Sequence, residues 1–212
     1  MDILVITGPL GSGKGYAARE VAQIARDRGL AVVLVDLDQV NRELLVGSAD
    51  VVGAIEDHCG PGFVVGGCVD TSVLADLVFS DGAERAWLES LTHAAIAARL
   101  EVLVADARSA GADLLVVEAP LPLASSPAAA EFGRVLAGAT TVSIAASPDV
   151  RHALAQVRGD DSTDAARRIA AQPDQALYDA GALAVITNSG DPDAFLAEVR
   201  RVAGPLVARG RG

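Results

Sequence analysis

Five short runs of the chain are almost continuously apolar: residues 3–7, 31–36, 114–118, 141–145 and 184–187. Runs without polar alternation suit strands buried on both faces, as in a parallel sheet. Apolar residues at helical spacing fill the segments between them. That pattern predicts right-handed βαβ crossovers and a doubly wound α/β fold with a five-stranded parallel sheet. No strong strand stands between the second and third runs. Residues 69–79 and 84–108 there carry helical spacing, which predicts a helical insertion beside the sheet.

The punctuation fits this order. Asp81 followed by Glu84 reads as a capping-box variant. Ser147-Pro148 and Asp191-Pro192 each put a cap before a proline at the first helical position. The last helix, 192–203, is expected to stop at Gly204-Pro205, with residues 209–212 frayed. We read residues 1–212 as one domain. Its core is 1–40, 110–150 and 180–208, with a helical insertion at about 41–109 and a lid at about 151–175.

Composition narrows the picture. Hydrophobic residues make up 51% of the 212 and aromatics only 3%, so the core must be built from Ala, Val, Leu and Ile. The formal net charge of −11 argues against a general nucleic-acid or membrane-surface binder, whose footprint is basic. Cys59 and Cys68 have neither metal spacing nor a disulfide framework, which points to a reducing, cytoplasmic setting. The N-terminus does not read as a signal peptide, and no stretch approaches the roughly 18 apolar residues of a membrane span. The oligomeric state is open.

The candidate chemistry begins at Gly8-Pro9-Leu10-Gly11-Ser12-Gly13-Lys14-Gly15, between the first strand and an amphipathic helix. Strand, glycine loop with lysine, then helix is the context of a Walker A phosphate loop, and hence of a P-loop NTPase-type sheet. Gly8, Gly11, Ser12 and Gly13 would wrap a triphosphate, Lys14 would reach its outer phosphates, and Gly15 and Tyr16 open the helix behind it. The position after the lysine usually carries a Ser or Thr hydroxyl for Mg²⁺; Gly15 and Tyr16 offer no short hydroxyl.

Asp36 and Asp38 follow the second strand and Glu118 ends the third, where ligands bind in open α/β sheets. Asp36 or Asp38 suits a base or a metal organiser, and Glu118 a second acidic group for magnesium. A strand-end turn, with Asp38 capping the next helix, accounts for the same residues. Arg158, Arg167 and Arg168 would make an arginine-bearing lid over the transferring phosphate, or a solvated charged face. His93, amid apolar neighbours on a helix, reads alone as a core histidine.

Together these pieces resemble dephospho-coenzyme A kinase, the last enzyme of coenzyme A synthesis. The resemblance rests on Gly8–Lys14, on Asp36-Leu37-Asp38 with Arg42, and on Asp70, Leu74, Val78-Phe79-Ser80-Asp81, Leu88-Glu89 and His93. It continues in Arg168-Ile169-Ala170-Ala171-Gln172 and Val185-Ile186-Thr187-Asn188-Ser189-Gly190. It implies ATP-dependent phosphorylation of the ribose 3′-hydroxyl of dephospho-coenzyme A, with Mg²⁺. Lys14 and the loop would hold ATP, and Asp38 or Asp36 would act as base or metal organiser. Arg168 and Arg158 would close over the phosphates, and Asn188 would sit near the adenine. Arg42, Asp70 and His93 fall at acceptor-side positions.

The chain departs from the family's pattern at Tyr16, Thr71, Ala94, Ala124, Arg151, Leu154 and Leu183. Arg151 stands in place of a glutamine, and Leu154 in place of a lid arginine. Two other functions share these features: phosphorylation of a hydroxyl on a different small metabolite, and nucleotide binding with little or no transfer.

Overall fold

The computed structural model describes residues 1–157 and 162–207. The five apolar runs form strands β1 (Asp2–Thr7), β2 (Val32–Asp36), β5 (Leu114–Ala119), β6 (Thr140–Ala146) and β7 (Ala184–Asn188). They pair in parallel in the order β2-β5-β1-β6-β7. β1 therefore lies at the centre, and the loop that follows it opens between its neighbours β5 and β6.

Two apolar layers enclose the sheet. Leu4, Ile6, Val116, Ile144 and Ile186 face α1 (Lys14–Asp27) and α10 (Pro192–Val207). Ala17, Ala18, Val21, Ala22 and Ala25 of α1 are fully buried, so small side chains let helix and sheet approach closely where few aromatics are available. On the other side Val5, Leu115 and Val117 pack against α5 (Gly82–Ser109) and α6 (Ala129–Val135). Each fully buried Leu, Ile or Val contributes about 1.5–3 kcal/mol over leaving it in water.

The insertion consists of α2 (Leu37–Gly47), α3 (Ala49–Cys59), α4 (Thr71–Ser80) and the N-terminal part of α5, around Leu45, Val51, Ile55 and Leu74. It also contains a small antiparallel hairpin, β3 (Val64–Val65) and β4 (Cys68–Val69), which the apolar pattern did not reveal. Its turn is Gly66-Gly67, with φ of 60° and 81°, the positive values a two-residue hairpin turn demands. Later in the chain come α7 (Pro148–Val157), α8 (Ser162–Ala170) and α9 (Gln175–Asp179).

Two expectations need correction. Helix α10 runs through Pro205 to Val207 instead of stopping at Gly204. Its buried stripe Phe195, Val199, Ala203 and Val207 continues across the proline, and Arg28 Nη1 donates to the Gly204 carbonyl. Packing thus outweighs one missing backbone donor. The capping box at Asp81 is half-formed. Asp81 accepts from the Ala83 and Glu84 amides, but the Glu84 carboxylate turns to His58 Nε2 at 2.8 Å. The Asp81 amide donates instead to the Leu77 carbonyl. Ser147 and Asp191 cap their helices as expected.

Candidate active site

Helix α1 starts from Gly13, whose φ of 93° is left-handed backbone natural only to glycine. Space also restricts this position: a Cβ there would lie 2.8 Å from Asn188 Nδ2 and 3.0 Å from the Phe195 ring. No side chain caps α1, and its first turn carries no acidic residue. The leading amides and the positive end of the helix dipole are left for an anion. Lys14, only 3% exposed, stands among them. Tyr16 packs toward α10. Its ring lies 5.9 Å from that of Phe195, and it stays 40% exposed.

The strand-end carboxylates gather beside this loop. Asp36 and Glu118 are register partners on the adjacent strands β2 and β5. The alternation of β5 turns Glu118 to the α1 side, directly over Gly15. Burial pushes the Glu118 carboxyl above the usual carboxylate range. Lys14 opposes that rise, while Asp36 and Asp38 add to it. Asp36, rather than Asp38, caps α2: its Oδ1 accepts from the Asp38 and Gln39 amides. Its Oδ2 lies 3.9 Å from Arg42. Asp38 is left exposed, within electrostatic reach of Glu118 and Tyr178.

Beyond the end of β5 opens a cavity of about 390 Å³, whose Tyr178 lies within electrostatic reach of Asp38. His93, Arg85, Glu89, Arg168, Gln172 and Tyr178 are among its lining residues. His93 Nδ1 is 2.9 Å from Ser126 Oγ, and burial holds the imidazole below its usual pKa. Tyr178 is pushed up to about 12 by burial. The Arg167 guanidinium lies 4.0 Å over the Phe79 ring, bridging α8 and α4 at this cavity. An adjoining cavity of about 400 Å³ shares Pro122, Leu177 and Tyr178, and holds Ala124.

The structure brings His93 and Arg168 to one cavity. Asp70 lies outside that lining: it caps α4, accepting from the Ser72 amide and hydroxyl and the Val73 amide, and those bonds hold its carboxyl below the usual range. Arg42 also lies outside the lining, on the exposed side of α2 against Gln39. Asn188 supports the loop from behind, with Nδ2 donating to the Ser12 carbonyl and Oδ1 accepting from the Gly190 amide. Arg158 lies outside the described residues. Glu89, which the resemblance included, also lines this cavity, while sequence reasoning missed Arg85 and Tyr178. Nothing in their spacing marks them, because α5 and α9 meet only in the fold.

The dephospho-CoA kinase family model matches residues 2–193. The chain belongs to this family. A dephospho-CoA kinase of Corynebacterium jeikeium is 31% identical over 200 residues, covering 94% of this chain and 96% of that one. The Xanthomonas campestris enzyme is 32% identical over 205 residues, covering 94% and 91%. Among solved structures, a Thermus thermophilus protein superposes with a TM-score of 0.67 at 27% identity, covering 100% and 98%. Shikimate kinase from Acinetobacter baumannii shares the fold alone, with a TM-score of 0.52 at 11% identity. The family assignment and the fold agree with the expectations drawn from Gly8–Lys14 and the apolar runs.

Proposed function

We propose that this protein transfers the γ-phosphoryl group of ATP to the ribose 3′-hydroxyl of dephospho-coenzyme A. The observation that carries the reading is the uncapped start of α1 around buried Lys14, beside strand-end carboxylates and a cavity holding His93 and Arg168. Ser12 Oγ, buried against Gly8 without a hydrogen-bond partner among the described residues, is a further polar group inside the loop.

Each side chain then has a task. Lys14 and the leading amides of α1 bind the outer phosphates. Asp36 is engaged as a cap, which leaves Asp38 as the base. It accepts the proton of the 3′-hydroxyl as the new O–P bond forms and the bond from the γ-phosphorus to the bridging oxygen breaks, releasing ADP. Arg168 balances charge on the transferring group from the far side of the cavity. His93, Arg85 and Glu89 orient the acceptor.

The residues present suit Mg²⁺. Among the described residues no three acidic, His or Cys side chains form a cage, and Mg²⁺ is usually held by one or two carboxylates together with substrate phosphates. Glu118 and Asp36 would supply those carboxylates, and the bound ion would neutralise charge on the phosphoryl oxygens. Two free cysteines suit a reducing cytoplasm. No described helix is long and apolar enough to cross a membrane.

The test is incubation of the pure protein with ATP, Mg²⁺ and dephospho-coenzyme A, read by mass spectrometry. Coenzyme A should appear, and Lys14→Ala should abolish it. ATP binding without coenzyme A would move the acceptor to another small metabolite.

A further inference from the structure

The apex of the phosphate loop is anchored to α7, α8 and the residues just after α8 at three points. Leu10 N–H donates to Gln172 Oε1 at 2.6 Å. The Leu10 carbonyl accepts from Arg151 Nε at 2.9 Å. The Leu10 side chain packs on Ala155 of α7 and Ile169 of α8, which are otherwise a two-residue core. Arg151 Nη2 also donates to Gln172 Oε1 at 2.7 Å, so the two holders brace each other. Gly11, the next residue, lies so close to the Arg151 main chain that no Cβ would fit.

We propose that Leu10 is a mechanical key joining the nucleotide loop to the α7–α8 arm, with Arg151 and Gln172 as positioning residues that keep it seated. One loop residue spends its amide, its carbonyl and its side chain on the arm. The apex therefore cannot shift without disturbing α7 and α8, and those helices cannot shift without disturbing the loop. Nucleotide binding at the loop and the packing of α7 and α8 against it thus become coupled, and the coupling must act in both directions. Arg151 suits the task because its planar fork reaches the Leu10 carbonyl and Gln172 together. Burial lowers its pKa from the usual arginine value, yet it remains charged at any physiological pH. The role extends beyond the phosphate chemistry proposed above and rests on that site binding nucleotide.

Hydrogen exchange with and without ADP tests this on the whole protein. In the unaltered chain ADP should slow exchange both in the loop and α1 and in α8. Gln172→Leu removes the shared acceptor at similar size, and Leu10→Ala removes the apolar plug. Either should retain ADP protection of α1 while cutting that of α8 at least about fivefold. Because both break one linkage, the double variant should be no worse than the stronger single one. Circular-dichroism melts establish that the variants are folded. The proposal is overturned if α8 keeps full ADP-dependent protection in either folded variant, or if the two effects simply add. If ADP protects nothing in the unaltered chain, the nucleotide reading falls and the key with it.

Discussion

Both carboxylate oxygens of Glu118 lie 2.9 Å from the point where a Cβ on Gly15 would stand. The space that a serine or threonine would take after the loop lysine is thus filled by a carboxylate from the neighbouring strand. The glycine and the glutamate form one arrangement, and the missing hydroxyl is its counterpart.

Gly15→Ser should therefore not restore a usual loop. The new Cβ meets only the end of a flexible side chain, so Glu118 swings aside and the fold survives. We expect the melting temperature to change by less than about 4 °C, corresponding to roughly 1 kcal/mol in a chain of this size. Turnover should fall at least about tenfold, or ~1.4 kcal/mol of transition-state stabilisation. Calorimetry and a coupled ADP-release assay measure the two.

Glu118→Gln should separate stability from activity. Burial raises this carboxyl, so the folded chain holds its proton more tightly than the unfolded chain. Stability is then greatest below the ordinary glutamate value of about 4.3 and is lost as pH rises through the higher folded value. At neutral pH the neutral amide removes that cost, and Tm should rise by about 2–4 °C. Turnover should drop by about two orders of magnitude if the carboxylate organises magnesium. An unchanged kcat would remove Glu118 from the machinery.

His93 has the opposite sign. Its folded pKa is depressed by burial, so the stability it contributes is present above about pH 6.5 and lost as pH falls through the folded value. His93→Asn should flatten the decline in Tm between about pH 7 and pH 5. It should also raise KM for the acceptor and leave that for ATP nearly unchanged. Equal rises in both would place the histidine outside the acceptor cavity's function.

Phe79→Leu keeps apolar volume but removes the ring beneath Arg167. A cation–π contact at an exposed site is worth about 0.5–1 kcal/mol, so acceptor KM should rise roughly two- to fivefold. Steady-state kinetics with ATP saturating would detect it; unchanged acceptor KM would make the contact incidental.

The sequence by itself determined the sheet. Continuous apolar runs have only one good home, a layer covered on both faces, and all five became parallel strands. It also determined the phosphate loop, because glycines, lysine and a helix start are local features needing no partner. It placed Asp36 and Glu118 at strand ends and Asp38 just beyond one, since position along a strand is legible once the strand is. Which carboxylate does what was decided in three dimensions. Asp36 became the cap because its side chain reaches the next two amides, and Glu118 came to cover Gly15 through strand register and the pleat of β5. The lining of the cavity beyond β5 and the seating of Leu10 against Arg151 and Gln172 join residues as many as 162 positions apart. Only packing decides such contacts, because spacing along a chain carries no information about which distant surfaces will meet.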